Sequence, residues 1–166
     1  MEKLHPKAVW LFFFQILFGS LILALFLAGM ITGAIADKNP ITASGAMRVL
    51  FIFLIVFVIY IPLCYILARL SYHFWRYELA ENAVKIEKGI IWKKYISIPY
   101  DRIQNVDIYR GVFARLLGLS DLQLQTAGYS GQHKRTEGRM PGLSPEIAEQ
   151  LREKLVQRVR STKQGL

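Results

Sequence analysis

The sequence contains little of the chemistry on which enzymes and metal-binding proteins usually depend. Cys64 is the single cysteine in 166 residues, which excludes an intrachain disulfide and a thiolate metal cluster. The three histidines form no HExxH pair, and no G-x-S-x-G or GxxxxGK[ST] motif is present. We therefore predict a protein that is not an enzyme, with no catalytic residue, no metal ligand and no cofactor.

Charge is missing from two long stretches of the chain. Residues 8–36 include 29 positions without a charged side chain, and residues 49–68 include 20. About 20 apolar residues, rising 1.5 Å each, cross a hydrocarbon layer of about 30 Å. Both stretches are therefore predicted to be transmembrane helices, over about 8–36 and 48–70. Two buried helices of a soluble protein are the alternative, but they would need a larger polar shell than this chain provides.

Neither apolar stretch contains an aspartate, glutamate, lysine, arginine or histidine. Pumps and proton relays usually place an ionisable group within the membrane. Anchoring is therefore a better interpretation of these helices than transport. Gly29 and Gly33 form a G-x-x-x-G pair, a pattern that permits close helix association and leaves oligomerisation open.

The basic residues near the helix ends predict the orientation. Lys3 and Lys7 precede the first stretch, and Arg69, Arg76 and Lys85 follow the second. By the positive-inside rule, both termini lie in the cytoplasm of a multi-pass protein of the cell membrane. Residues 34–36 (AIA) resemble a signal-peptide cleavage site, but the preceding apolar run is roughly twice the usual length, so we expect a retained helix.

Residues 69–78 (RLSYHFWRYE) mix aromatic and basic side chains directly after the second stretch. Such residues sit at the level of the lipid headgroups, where aromatic rings and long basic stems are favoured. We predict interfacial anchors at Tyr72, Trp75, Arg69 and Arg76. The membrane hairpin then occupies residues 1–76, and a cytoplasmic domain occupies residues 77–166.

The pattern of this second part indicates strands followed by one helix. Apolar and polar residues alternate around residues 84–98, 103–108 and 121–126, with a bulge expected near Gln104 and Asn105. A second strand is predicted to begin directly after Gly89, at Ile90. Ser144 is a suitable N-cap for a helix over about 144–161, and its apolar stripe should pack on the sheet.

Four segments of the tail resemble one known family. They are a Lys-Gly-Ile turn (88–90), ISIPYDRIQNVDI (96–108), ARLLGLSDLQLQTAG (114–128) and PGLSPEIAEQL (141–151). The chain resembles the bacterial PH-like domain of the membrane-flanked type, which was long catalogued as a domain of unknown function. The resemblance implies a two-helix transmembrane hairpin followed by a mostly-β PH-like barrel or sandwich with one C-terminal capping α-helix. It also implies a homo- or hetero-oligomer with a membrane protein of the same family.

The tail is basic, with 17 lysines and arginines against 10 acidic residues in residues 69–166. Basic side chains beside a membrane are attracted to anionic lipid or to acidic groups of a partner. For Arg102, an ion pair with Asp101, Asp107 or Asp121 is the simpler alternative. The candidate contacts with a partner or a lipid headgroup are Lys93, Lys94, Arg102, Arg110, Arg115, Lys134 and Arg135.

These features together predict an adaptor or assembly subunit that binds another membrane protein, or its own copies, at the cytoplasmic membrane face. An accessory subunit of a transport, export or resistance complex is one alternative. Another is a domain that binds anionic lipid headgroups. No nucleic-acid-binding motif is recognisable, so nucleic acid is not an expected partner.

Overall fold

The computed structural model describes residues 2–35, 43–126 and 138–164. The chain forms two compact units. One, which we call the helical unit, is Phe13–Arg69. The other, which we call the globular unit, combines Met1–Phe12 with Leu70–Leu166. The globular unit therefore contains both ends of the chain, whereas the sequence predicted a simple division between residues 76 and 77.

The apolar stretches form three helices, α1 (Ala8–Gly19), α2 (Leu21–Ile35) and α3 (Ala43–His73). Within α3, Ala46–His73 is long and apolar enough to cross a membrane. Only 6% of its most apolar window is buried, whereas a core helix of a soluble protein would be mostly buried. Helices α1 and α2 pass the same test only as one bent pair, which is a broken span or a re-entrant loop. The second membrane crossing of the hairpin thus stays a prediction.

The single helix predicted over 8–36 is interrupted at Ser20, where the chain bends by 48°. The Ser20 hydroxyl donates to the Ile16 carbonyl oxygen at 2.7 Å, a bond that competes with the helical ladder. The Tyr60 hydroxyl donates to the Leu17 carbonyl oxygen at 2.6 Å and lies 3.0 Å from the Ser20 oxygen. A Gly-Ser pair is a common site of helix kinks, and here a tyrosine from α3 occupies the opened turn.

The globular unit contains two antiparallel sheets. In the first, the order β1-β2-β3-β4 follows the chain, and in the second the order is β5-β6-β7. A 3₁₀ turn, Tyr100–Arg102, joins the sheets, and a short helix, α4, lies between β5 and β6. The bounds are β1 Glu2–Lys3, β2 Arg76–Leu79, β3 Ala83–Lys88, β4 Lys94–Pro99, β5 Ile103–Tyr109, α4 Val112–Leu116, β6 Ser120–Thr126, β7 Gly138–Leu143 and α5 Pro145–Gln164.

The inward faces of the two sheets meet in one core. A Cβ at Gly138 would lie 2.7 Å from Ile98, 3.0 Å from Leu124 and 3.2 Å from Ile86, so β7 approaches the first sheet closely at this point. Helix α5 covers the core with the buried side chains Ala148, Leu151 and Leu155. The predicted cap is present, because the Ile147 amide donates to the Ser144 hydroxyl at 3.3 Å. Two sheets closed by a C-terminal helix agree with the predicted PH-like fold.

Two local predictions differ from the structure, and a third is confirmed. Residues 76–78, the last part of the predicted interfacial belt, belong to strand β2, and the Tyr77 side chain is buried. The strand expected from Ile90 begins instead at Lys94, because residues 89–93 form the turn. The predicted bulge is present as a register shift between Ile103 and Asn105.

The N-terminal segment is part of the globular unit. Strand β1 pairs with β2, with Glu2 opposite Tyr77 and Lys3 opposite Arg76. The Leu4 side chain is buried, and its carbonyl oxygen accepts a hydrogen bond from the Tyr72 hydroxyl at 3.2 Å. Burial, followed by the Glu2 side chain, raises the pKa of Tyr77. The first residues of the chain are therefore fixed beside the strand that follows α3.

Candidate functional site

A buried carboxylate organises the place where the N-terminal segment meets the second sheet. Asp121 accepts hydrogen bonds from the Gly142 amide at 3.0 Å and from Arg139 Nε at 3.2 Å. The Gly142 carbonyl oxygen accepts a bond from the His5 amide at 3.2 Å. Gly142 has a φ of +66°, and a Cβ there would collide with Ala8. Glycine at this position is needed for both the turn and the close approach of the first helix.

Two of the predicted contact residues lie at the turn between β3 and β4. Lys93 Nζ is 5.9 Å from the Phe74 ring centroid and 3.9 Å from Glu87 Oε1. Lys94 is exposed and lies opposite Lys88 in the register of the two strands. Since Phe74 directly follows α3 in the chain, this turn lies beside the point where the chain leaves the helical unit.

Lys88 is a further basic residue of this turn, and the sequence analysis did not select it. Its Nζ lies 5.1 Å from the Trp75 ring centroid. Burial lowers the pKa of Lys88, and the positive charges of Lys94 and Arg139 add to the effect. The charges of Lys94 and Arg139 beside Lys88 give this turn a local excess of positive charge, an arrangement that favours an approaching anion.

Arg110 and Arg115 lie at a second place, around α4. Arg110 Nε donates to the Leu119 carbonyl oxygen at 3.4 Å, and Arg115 is exposed on the helix. Ala114 of the same helix is buried in a cluster with Leu11 and Leu119. Leu11 belongs to the first turns of α1, so α4 lies beside the point where the chain enters the helical unit.

Arg102 is placed apart from these residues. It follows β4 in the 3₁₀ turn, where the Tyr100 amide donates to the Asn82 carbonyl oxygen at 3.3 Å. Two of the expected carboxylate partners have other donors, since Asp121 binds Arg139 and Asp107 accepts from Gln125 Nε2 at 2.7 Å. Arg102 is exposed. Lys134 and Arg135 fall outside the described residues.

The four predicted anchors occupy different environments. Tyr72 is half-buried and holds the N-terminal segment through Leu4. The half-buried Trp75 packs 5.8 Å from the Phe12 ring, and its indole nitrogen is buried with no hydrogen-bond partner among the described residues. Arg69 is an exposed residue of the helical unit, and Arg76 is half-buried in β2. Among the described residues no three metal-ligating side chains lie together.

Sequence reasoning missed a polar cluster that fixes the C-terminal helix. Arg158 Nη1 donates to the Ala80 carbonyl oxygen at 2.6 Å and to the Tyr100 hydroxyl at 2.9 Å. The Tyr100 hydroxyl itself donates to the Ala80 carbonyl oxygen at 2.8 Å. These residues come from three distant parts of the chain, and no local pattern connects them.

An open sheet edge lies next to an apolar cavity. Strand β4 ends the order of the first sheet and pairs, among the described residues, with β3 alone. Tyr95 on this strand is 69% exposed. The cavity is shallow and is lined by Lys85, Ile86, Glu87, Tyr95, Ile96 and Ser97. Unpaired backbone groups beside an apolar cavity suit the addition of a strand from another chain.

Comparison with known proteins gives two matches. A family model described as "Bacterial PH domain" matches residues 12–159. The UPF0699 transmembrane protein YdbS of Bacillus subtilis (strain 168) is 28% identical over 98 residues, which cover 59% of this chain and 57% of that protein. The chain thus aligns with little more than half of this relative. No solved structure is significantly similar.

Proposed function

Because the chain belongs to the bacterial PH domain family, we propose that it is a membrane-anchored adaptor, a non-catalytic subunit that binds another membrane protein. The observation that carries this proposal is the open edge of β4 with its adjacent apolar cavity. A partner strand would gain backbone hydrogen bonds along β4 and place one side chain in the cavity. The proposed partner is a second copy of the chain or a membrane protein of the same family.

The attachment of the globular unit supports a positioning role. Residues on both sides of the helical unit, Leu4 and Tyr72, are joined by a hydrogen bond. Strands β1 and β2, which precede and follow the helical unit in the chain, lie in one sheet. Segments paired in one sheet lie on one side of a membrane, which supports two crossings in between. With the basic flanks, we place both termini in the cytoplasm.

A photo-cross-linking amino acid at Tyr95, in native membranes, tests the adaptor proposal. We expect one adduct of defined mass that contains a second copy or a membrane protein of the same family. The matched control carries the same group at Glu153, an exposed position on α5. Adducts of equal yield and diversity at the two positions, or adducts with lipid alone at Tyr95, would contradict the proposal.

Orientation is tested separately with a reporter enzyme fused after Leu166. Activity of a cytoplasm-specific reporter is expected, and activity of a periplasm-specific one would reverse the topology. Native mass measurement in detergent then distinguishes a homo-oligomer from a hetero-oligomer. A chain that stays monomeric in mild detergent and yields no adduct at Tyr95 would exclude the adaptor role.

A further inference from the structure

The turn between β3 and β4 carries the most exposed large apolar side chains of the globular unit among the described residues. Ile91 is 80% exposed and Trp92 is 84% exposed. Gly89 has a φ of +115°, and a Cβ there would collide with the Trp92 carbonyl oxygen. The turn is therefore tightly closed, and its backbone holds the two side chains outward. Two adjacent residues of this size in water are unfavourable, so the arrangement calls for an apolar environment.

The surroundings of this turn indicate which apolar environment is close. The lysines on either side of Ile91 and Trp92 lie over the rings of Trp75 and Phe74. These two aromatic residues come directly after α3, whose apolar segment reaches His73. Two residues after a membrane-spanning helix, a side chain is at the level of the lipid headgroups. The turn thus lies beside the bilayer surface.

A second exposed apolar site has the same relation to the other end of the helical unit. On α4, Val112 is 71% exposed and Leu116 is 78% exposed. Ala114 of the same helix packs on Leu11, one residue before the last residue of the N-terminal segment, Phe12. An exposed apolar site of the globular unit therefore lies near each of the two points where the chain leaves that unit.

Basic residues accompany both sites. Lys88, Lys93 and Lys94 surround Ile91 and Trp92, and Arg110 and Arg115 accompany Val112 and Leu116. Glu87 is an acidic residue near the first site, and its Oε1 lies 3.9 Å from Lys93 Nζ. Each site keeps a positive surplus. Apolar side chains within a ring of basic ones match a lipid surface, with acyl chains below and anionic phosphates above.

We propose that the β3–β4 turn, through Ile91 and Trp92, and helix α4, through Val112 and Leu116, insert into the headgroup region of the anionic leaflet. The globular unit is then held against the bilayer at two points. This proposal rests on the membrane anchoring in the proposed function but not on the partner at β4. A second copy of the chain is the competing occupant, and the experiment below separates the two.

Accessibility of spin labels on the full chain tests the insertion. Single cysteines replace Ile91, Leu116 or Asn82 in a Cys64→Ala background, and the labelled protein is placed in phosphatidylglycerol–phosphatidylcholine vesicles. Asn82 is the matched control because it is an exposed turn residue at the opposite end of β3, about 20 Å away along the strand. Ile59, on the apolar surface of α3, supplies the lipid reference.

Frequent collisions of the spin label with oxygen indicate that the label lies in lipid. Frequent collisions with a water-soluble nickel chelate indicate that it lies in water. Burial of a side chain the size of isoleucine favours the inserted state by at least about tenfold, so nickel collisions at Ile91 and Leu116 should fall by about that factor relative to Asn82. Oxygen collisions should approach those at Ile59. Equal nickel collisions at Ile91 and Asn82 would overturn the proposal. So would protection from both reagents with spin–spin broadening, which indicates a second copy.

Two charge variants test the anionic part of the proposal. In anionic vesicles at low salt, Lys93→Gln and Lys94→Gln should each lower the ratio of inserted to withdrawn states by about fivefold. In vesicles of phosphatidylcholine alone, the same variants should leave the ratio unchanged. Equal effects in both lipids would show that the lysines act on the turn and not on lipid charge, and would overturn the anionic specificity. Cross-linking at Tyr95 measures partner binding independently of membrane insertion. The adaptor proposal and the insertion proposal can therefore be refuted separately.

Discussion

Replacing Gly142 with alanine is expected to release the N-terminal segment from the globular unit. Gly142 has a φ of +66°, a conformation that costs an alanine about 1–2 kcal/mol. The new Cβ would also collide with Ala8, and overpacking of this kind costs about 1–3 kcal/mol. Together the two effects amount to about 2–5 kcal/mol.

The N-terminal segment is the part of the structure that would move to relieve the strain at Gly142. Leu4 and Leu11 are buried, and each side chain of this size stabilises its attachment by about 1.5–3 kcal/mol. The attachment of the segment and the perturbation are therefore of similar size. Local detachment of the segment relieves the strain without unfolding the two sheets, so we expect local opening before global unfolding.

Hydrogen exchange of the backbone amides in detergent micelles measures this opening. The His5 amide, which donates to the Gly142 carbonyl oxygen, should exchange more than about 30-fold faster in Gly142→Ala, because 1.4 kcal/mol corresponds to a factor of ten. Amides of β3 should change less. Gly111→Ala is the control, since Gly111 has a φ of −67° and its Cβ would lie at an ordinary 3.4 Å from Tyr109.

A compensating substitution separates the two causes. Ala8→Gly removes the methyl group that the new Cβ would meet, while the backbone strain at Gly142 remains. The double variant should thus recover the steric part of the loss, about 1–3 kcal/mol. If Gly142→Ala exchanges at His5 no faster than Gly111→Ala, the close approach of the N-terminal segment to β7 is refuted.

Three other predictions concern the polar contacts of the two units. Arg158→Ala removes the guanidinium that donates to the Ala80 carbonyl oxygen and the Tyr100 hydroxyl. The free energy of unfolding, measured by chemical denaturation, should fall by about 1–3 kcal/mol. The control, Arg152→Ala, breaks an exposed ion pair and should change it by less than about 0.5 kcal/mol. The raised pKa of Tyr77 gives stability that is complete below pH 10.0 and is lost as the pH rises further, so Tyr77→Phe should flatten the alkaline part of a stability–pH profile. Tyr60→Phe removes the hydroxyl that hydrogen-bonds to Leu17 and Ser20 at the break between α1 and α2. Association of α3 with these helices should weaken by about 0.6 kcal/mol and lower the midpoint of thermal unfolding in detergent. An unchanged midpoint would exclude a stabilising role for Tyr60.

Features fixed by neighbouring residues were predictable from the sequence. Helix α5 follows from the Ser144 cap and the apolar stripe, and both act within a few residues. Strand β1 was not predictable, because Glu2 and Lys3 show no alternation and their partners are more than 70 residues away. The break at Ser20 had a local signal in the Gly-Ser pair, but the continuous apolar composition concealed it, and its stabilising partner, Tyr60, comes from another helix.

The candidate site shows the same division. Basic composition selected Lys93, Lys94, Arg110, Arg115 and Arg102 alike. It could not show that Arg102 lies apart from the others, in the 3₁₀ turn at the far end of β4. The β propensity of Ile90, Ile91 and Trp92 favoured a strand. The structure instead has these residues in a turn that Gly89 closes, where β propensity no longer explains them. The wrong strand prediction at this turn therefore leads to the insertion proposal, in which lipid would surround Ile91 and Trp92.

The pairing of β1 with β2 links membrane insertion to folding of the globular unit. Residues 2–3 precede the helical unit in the chain, whereas their partners in β2 and the Gly142 carbonyl oxygen follow it. Closing so long a loop is entropically costly in a free chain, but the proposed hairpin in the membrane would bring the two ends of the helical unit together beforehand. In the proposed topology, insertion therefore precedes completion of the first sheet. An odd number of crossings would place β1 and β2 on opposite sides of the membrane and leave Leu4 and the Tyr77 face uncovered, which is why the proposed topology has two crossings.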